Sequence, residues 1–276
     1  MRRLRYVAYV ILIVLAVSVG MVFGEEQKPA EEPKVSGSFA TGFLSQYVFR
    51  GFELSSHSLV IQPSVTLSYR GLSLNVWGNY DSHQSATQSF VPDNPGKAGW
   101  DETDITLSYT YALDKWAFTG GYIYYGTDYS PQAQELFLSV GYDIITKPVL
   151  SVYQNVANYP ATYLNLALSH SLPVYKDISL DLGVSFWTLF GQSNFWKTYQ
   201  SATQAYTGSK FSNMLSGMLS AGITIPIVKN LSVQPVVQYG FPLSGDARKR
   251  VEGVPYNPAG NIDNTLVYGL NALFTF

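Results

Sequence analysis

From residue 36 onward, apolar and polar side chains alternate in about twelve segments, most of them 9–14 residues long. A period of two is the spacing of a β-strand with one apolar face. Segments of this length exceed the mean strand of a soluble protein and suit tilted strands that cross a bilayer. The pattern therefore predicts an all-β, antiparallel up-and-down barrel of about twelve strands, the first of them over residues 39–49.

The charges follow the same alternation. In the segment 178–186 the odd positions are polar and include Asp181, whereas the even positions are apolar and include Leu182. The segments 104–111 and 135–143 separate in the same way, and no apolar face carries a charge between the segment ends. A basic residue at the lipid midplane would cost roughly 2–4 kcal/mol. We therefore expect the apolar faces to meet lipid and the polar faces to line a wet lumen.

The alternative is a soluble barrel or sandwich with the apolar faces inside. Its outer face should carry many Lys and Glu, yet only 13% of the residues are charged, about half the usual share. The polar faces are instead Ser, Thr, Asn, Gly and Gln. Tyrosines near the segment ends are typical of the aromatic girdles of membrane barrels: Tyr47, Tyr69, Tyr109, Tyr111, Tyr122, Tyr124 and Tyr142.

The gaps between the segments also alternate in length. Short turns fall at 70–71, 113–115, 146–148, 173–177 and 228–230, and the longest loops at 82–101, 191–210 and 242–262. Short turns on one rim, long loops on the other and an even number of strands indicate an outer-membrane barrel. An open sheet would expose its edge groups to lipid, so we expect the last strand to pair with the first, near residues 38–50.

The N-terminus predicts export. Three arginines precede an apolar run that ends near Val19, which is typical of a signal peptide over residues 1–24; an uncleaved anchor helix is the alternative. Residues 25–35 are charged and proline-containing and predict a flexible segment, followed by the barrel domain over 36–276. Without residues 1–24 the chain carries 14 Lys and Arg against 19 Asp and Glu, which argues against nucleic acid as a partner.

The end of the chain is a strand with apolar residues at alternate positions. Phe276, Phe274 and Tyr268 share one face. This arrangement resembles the assembly signal of bacterial outer-membrane barrels, which implies the barrel assembly machinery and outer-membrane lipid as partners.

The segment 44–69 resembles the opening of the Gcw_chp family of uncharacterised bacterial outer-membrane proteins. The resemblance lies in a Ser-x-Tyr-Val-Phe-Arg-Gly run, a short polar loop and a proline in the second strand: Ser45, Tyr47, Val48, Phe49, Arg50, Gly51 and Pro63. It implies a barrel in the outer membrane of a Gram-negative bacterium and no established reaction.

Arg50 is the leading candidate for a functional residue. We expect it near the outer rim on the polar file, as a lumen strut paired with Asp104 or Glu135, or as part of a charge ring that sets ion selectivity. Arg70 and Asp181 form a similar candidate pair near the other rim. Bulky lumen-facing residues either fill a narrow barrel or stack on sugars and other solutes: Trp77, Phe137, Tyr163 and Trp187.

Motifs for chemistry are not found. There is no cysteine, and no metal-ligand cluster, phosphate loop or cofactor motif. A lipid-modifying enzyme would need a Ser–His pair, but Ser169 and Ser171 point away from His170 on a strand. The basic cluster 246–250 is a candidate contact for lipopolysaccharide. The sequence thus favours a narrow, passive, porin-like channel for small solutes; the alternative is a non-conducting barrel with a binding or structural role.

Overall fold

The computed structural model describes residues 34–85, 95–200, 203, 205–249 and 262–276. The predicted signal peptide and almost all of the charged segment before the barrel lie outside these residues.

In the described part of the chain, no helix is both long and apolar enough to cross a membrane.

Within the described residues, twelve antiparallel strands form one closed barrel, which confirms the predicted fold class. In chain order they are β1 Ser36–Leu44, β4 Val60–Tyr69, β5 Leu72–Asp81, β6 Gly99–Leu113, β7 Trp116–Thr127, β8 Ala133–Tyr142, β9 Val149–Ala157, β10 Ala161–Tyr175, β11 Ile178–Gly191, β14 Ser212–Val228, β15 Leu231–Pro242 and β16 Thr265–Thr275. Neighbours in sequence are neighbours in the wall, and β1 pairs with both β4 and β16.

The remaining elements lie in the connections between barrel strands. They are two small sheets, β2 Val48–Phe49 with β3 Phe52–Glu53 and β12 Lys197–Gln200 with β13 Ala205–Lys210, a 3₁₀ turn over Asn194–Trp196, and the short helix α1 over Gly245–Lys249.

The barrel closes where the sequence predicts. β1 and β16 pair in register from Ser38 with Thr275 to Leu44 with Gly269. Backbone hydrogen bonds join Gly37 and Phe276 in both directions, at 2.8 and 2.9 Å. This pairing removes both free edges of the sheet, as a structure surrounded by lipid requires.

The outer face of the wall is apolar. Its exposed large side chains include Leu67, Leu107, Leu138, Leu182 and Leu219. Every carboxylate of the twelve barrel strands points inward instead, and these strands contain no Lys or Arg. The six carboxylates are Asp81, Asp101, Glu102, Asp104, Glu135 and Asp181. The separation of charges read from the sequence therefore holds in three dimensions.

The predicted aromatic girdle forms in part. Tyr69, Tyr109, Tyr111 and Tyr268 are exposed on the outer face. Tyr47, assigned to the girdle from the sequence, is buried at 8% exposure inside the barrel. The prediction was wrong because it extended the first strand to residue 49, whereas β1 ends at Leu44 and the chain then turns inward.

Leu182 and Ser220 provide a matched test of which face meets lipid. Leu182 points outward in β11, and Ser220 lies on the inner face of β14, paired with Gly183. Leu182→Arg should lower the free energy of unfolding in phospholipid bilayers by roughly 2–4 kcal/mol, because it places a cation in acyl chains. Ser220→Arg should cost much less, as measured by guanidinium unfolding followed by tryptophan fluorescence. Equal costs at the two positions would contradict the assignment.

Candidate functional site

The segment between β1 and β4, residues 45–59, folds into the lumen; we call it the inserted loop. It contains the β2–β3 hairpin, in which Phe49 pairs with Phe52. The two residues between them, Arg50 and Gly51, both have positive φ, 52° and 93°. This is the requirement of a type I′ turn, whose twist matches that of the flanking strands. The Arg-Gly pair therefore forms the tip of a hairpin rather than continuing the first strand.

The tip of the hairpin is anchored to the opposite wall. The hydroxyl of Ser216 in β14 donates a hydrogen bond to the carbonyl of Arg50 at 2.7 Å. A side chain at Gly51 would overlap that of Ser216, so glycine is required there for space as well as for its backbone conformation.

Arg50 makes a buried, bidentate ion pair with Glu135 of β8. Nη1 donates to Oε1 at 2.8 Å and Nη2 to Oε2 at 2.6 Å, and both side chains are only 3% exposed. Tyr125 of β7 donates its hydroxyl to the same carboxylate at 2.8 Å. Burial is the largest single influence and lowers the pKa of Arg50, but Glu135, Tyr125 and Tyr163 together raise it by more, so the net pKa lies above the ordinary value. The guanidinium therefore stays charged and holds the loop to the wall.

Aromatic rings surround the same guanidinium. Its central carbon lies 4.4–4.9 Å from the ring centres of Phe49, Tyr153, Tyr163 and Trp187. Cation–π contacts of this kind contribute about 0.5–2 kcal/mol each, most where water is excluded. Arg50 is thus fixed by charge, by hydrogen bonds and by ring faces on strands β9 to β11.

Further carboxylates lie buried near this ion pair. A bulge in the pairing of β5 with β6, between Asn79 and Tyr80, turns both Asp101 and Glu102 inward. Asn79 donates to Asp101 at 2.8 Å, and Tyr129 donates to Glu102 at 2.6 Å. Tyr129 lies in the loop after β7. Burial and the nearby Glu102 raise the pKa of its hydroxyl well above its ordinary value.

Asp81 extends this acidic group along the wall. Its side chain is fully buried and accepts hydrogen bonds from the Ser58 hydroxyl of the inserted loop and from the backbone N–H of His83. The interior at the loop rim therefore holds several carboxylates of β5, β6 and β8, and Arg50 is the cation that the inserted loop brings to them.

Apolar packing fills the rest of the lumen at the loop rim. Tyr47, Phe52 and Leu54 of the inserted loop belong to a buried cluster with residues of the other loops and of the inner wall. The further members are Val60, Ala161, Tyr163, Leu189, Trp196, Phe211, Leu215, Ala247 and Ile262. The inserted loop is therefore held from above by the loops after β11 and β15 and closes the upper lumen.

Cavities lie on both sides of this closure. A small cavity of about 90 Å³ lies next to Phe52, Glu102 and Trp196, on the side of the loops. A larger chamber of about 410 Å³ lies towards the turns, lined chiefly by polar side chains: Gln62, Ser64, Trp77, Thr224, Gln234 and Asn271. Side chains thus fill the lumen at the loop rim, and a polar chamber lies in the half towards the turns.

Some of the predicted site residues contact one another in the structure, and others do not. Of the two carboxylates considered for Arg50, Glu135 makes the contact, whereas Asp104 lies in the same acidic group with its buried Oδ1 unpaired among the described residues. Trp187 packs against Tyr153 and Arg50, and Trp77 packs against Tyr47 at 5.4 Å between ring centres. The large lumen residues thus pack around the inserted loop.

The predicted pair of Arg70 and Asp181 does not form. Asp181 accepts hydrogen bonds from Ser171, Ser179, Thr224 and Gln234. Arg70 lies in the turn after β4, with φ 49°, and its guanidinium stacks on the neighbouring ring of Tyr69. The prediction was wrong because the tight turn directs Arg70 along the rim, away from the lumen.

The remaining sequence candidates lie at the two rims. Nδ1 of His170 is 2.7 Å from the carbonyl oxygen of Ile145 in a neighbouring turn. Phe274 and Phe276 are exposed and stacked on each other at the turn rim. The basic cluster 246–250 lies partly outside the described residues, and its described part falls in α1. In the described part of the chain, no group of three or more His, Cys, Asp or Glu is arranged to hold a metal ion.

Several residues of the site escaped sequence reasoning. Asp101 falls in the predicted loop 82–101 and Glu102 directly follows it, but β6 begins at Gly99 and the bulge buries both side chains. Tyr125 was read only as a strand residue, and Ser216 carried no signal. The Arg-Gly pair at 50–51 is the one local signal that favours a turn over a strand at this point.

Taken together, a closed barrel with an apolar belt, aromatic girdles, inward carboxylates and unequal rims defines a transmembrane β-barrel of the outer-membrane type. The chain belongs to the Gcw_chp family: the family model, described as a bacterial protein of unknown function, matches residues 26–207, more than half of the chain. The predicted membership of this family is thereby confirmed.

The chain is similar to solved structures at low sequence identity. The NanC porin is 9% identical, with a TM-score of 0.52 over 86% of this chain and 98% of that chain. An outer membrane channel from Pseudomonas putida F1 is also 9% identical, with a TM-score of 0.49 over 91% of this chain and 100% of that chain. No curated protein sequence matches the chain.

The ion pair between Arg50 and Glu135 can be tested by a double-mutant cycle. Arg50→Met should lower the free energy of unfolding by about 3–5 kcal/mol, because it leaves Glu135 buried without a counter-charge. Adding Glu135→Leu should recover part of this loss, since the double variant buries no unpaired charge. Arg50→Lys is the control that keeps the charge but loses the bidentate geometry. Additive costs, measured by guanidinium unfolding, would show that the two residues are not coupled.

Proposed function

We propose that this protein is a narrow outer-membrane channel for small solutes, closed in this conformation by the inserted loop. The observation that carries the proposal is that the inserted loop, covered by the loops after β11 and β15, fills the lumen above a polar chamber. The wall itself does not obstruct that chamber. A barrel with only a structural role has no need of a chamber covered by such a loop.

The inserted loop is built as a separable part. Leu44 and Val60, the residues that flank it, are direct cross-strand partners in the wall. The loop can therefore leave the lumen, or be replaced by a tight turn, without breaking the pairing of β1 with β4. A connection of this kind suits a gate.

The contacts that hold the loop are strong but few in kind. They are the ion pair with Glu135, the hydrogen bond from Ser216 and the apolar cluster. Moving the loop would remove Arg50 and leave the buried carboxylates of β5, β6 and β8 facing the lumen. A ring of carboxylates favours cations at a constriction, so the opened barrel is expected to select cations.

The proposed setting follows from the rims and the sequence. The rim with the tight turns and Phe276 faces the periplasm, and the rim with the long loops faces the exterior of a Gram-negative cell. Residues 1–24 direct export, and the terminal aromatic residues engage the barrel assembly machinery. Outer-membrane lipid surrounds the apolar belt, and the basic cluster 246–250 contacts lipopolysaccharide.

Replacing residues 46–58 by Asn-Gly tests the gate. The shortened protein should conduct in planar bilayers at several times the level of the full-length protein, because the obstruction is gone while the wall is kept. Its reversal potential in a salt gradient should indicate preference for cations. Arg70→Gln, in a turn on the opposite rim, is the control and should leave conductance unchanged.

The same experiment separates the two functional hypotheses. If the shortened protein inserts, resists proteolysis and still seals the bilayer, the barrel is non-conducting and its loops or its structure carry the function. Preference for anions would contradict the role of the carboxylates.

A further inference from the structure

We infer that the polar chamber on the turn side of the inserted loop is a binding site for a neutral polyhydroxylated solute, a sugar in chemical class. The inference deepens the proposed function, because it names the solute class that such a channel would accept. It rests on the composition of the chamber, on its hydrogen-bonding capacity and on the position of Trp77.

The chamber has the size of a ligand site. Its volume is about 410 Å³, within the range of roughly 300–1,000 Å³ typical of small-molecule pockets. It is bounded by the inner faces of β1, β4, β5, β14, β15 and β16, so it is set by the rigid wall and not by loops.

The chemistry of the lining is polar without charge. Of the described residues that line the chamber, none is charged; its polar groups are amides, hydroxyls and one indole. A neighbouring carboxylate, Asp181, accepts hydrogen bonds from the lining residues Thr224 at 2.5 Å and Gln234 at 3.0 Å, besides two serines. An anionic solute would lose its hydration in the chamber and meet the charge of Asp181. A cationic solute would lack a free carboxylate oxygen to pair with, because each oxygen of Asp181 already accepts two hydrogen bonds, whereas a neutral solute avoids both costs.

The amides form a pre-organised network that keeps capacity for a ligand. Asn271 donates to Gln234 at 3.2 Å, and Gln62 donates to Asn79 at 3.0 Å. An amide has one acceptor oxygen and two donor hydrogens. Among the described residues, the side-chain oxygens of Asn271 and Gln62 accept no hydrogen bond, so each amide can both accept from and donate to a hydroxyl group. Paired donors and acceptors are what vicinal hydroxyls require.

Trp77 supplies the apolar part of the site. It lines the chamber on β5, and Tyr47 of the inserted loop packs against it at 5.4 Å. One face of a pyranose ring consists of C–H groups, which pack against an aromatic ring while the hydroxyls at the edge reach the amides. Trp77 also connects the site to the gate, because the residue that packs on it belongs to the inserted loop.

Two probes with the same ring distinguish this site from an ordinary wet lumen: glucose and glucuronate. Binding to the full-length protein in nanodiscs is measured by saturation-transfer NMR. Glucose should bind saturably, and glucuronate should bind at least about tenfold more weakly, since its carboxylate meets the like charge of Asp181. Absence of saturable glucose binding, or equal binding of the two, would overturn the inference.

Variants locate the binding. Asn271→Leu and Trp77→Leu should each weaken glucose binding by about tenfold, the usual effect of losing one buried hydrogen bond or packing surface. Trp77→Phe should keep part of the affinity. Asn213→Leu, which alters an exposed amide at the loop rim of β14, is the matched control and should bind like the unmodified protein. Equal affinity of Asn271→Leu and Asn213→Leu would place the sugar elsewhere and overturn the site.

The binding site and the channel can be rejected separately. Glucose binding with a sealed, shortened barrel would keep the site and reject the channel. Conduction without glucose binding would keep the channel and reject the site.

Discussion

The need to satisfy every backbone N–H and C=O group in lipid governs this structure. Only a sheet closed on itself meets that need with strands, and the pairing of β1 with β16 provides the closure. Once the sheet is closed, each strand has one face towards lipid and one towards the lumen. Apolar side chains cover the first, and all six carboxylates of the barrel strands fall on the second.

The buried carboxylates in turn explain the inserted loop. Several acidic side chains in a space of low polarity repel one another and lose hydration. Arg50 brings a cation to them on a hairpin whose shape depends on Gly51, and the apolar residues of the same loop close the lumen around it. Charge compensation and closure are therefore performed by one segment. Removing this segment would abolish both at once.

Much of the fold could be predicted from the sequence, because alternation, charge parity and loop length are properties of each strand alone. The number of strands, their outward faces and the closure by the last strand follow from them. The site was harder to predict. The contact between Arg50 and Glu135 depends on an inward turn at Ser45, and the burial of Asp101 and Glu102 depends on a bulge that shifts the alternation by one residue. Arg70 and Asp181 do not pair, because Arg70 lies in a turn and points along the rim, whereas Asp181 points into the lumen.

The pairing of Ser38 with Thr275 has a consequence for how the molecule forms. The two strands that complete the wall come from opposite ends of the barrel sequence. Every other pairing in the wall joins two barrel strands that follow each other along the chain. Hairpins with local contacts form readily, but a contact across nearly the whole polypeptide carries a large entropy of loop closure and forms slowly. Until it forms, two strands keep free edges that attract other chains. The slowest step of folding, and the one most open to aggregation, is thus the pairing of β1 with β16. A factor that shields these two strands during biogenesis would have the largest effect on the yield of folded protein.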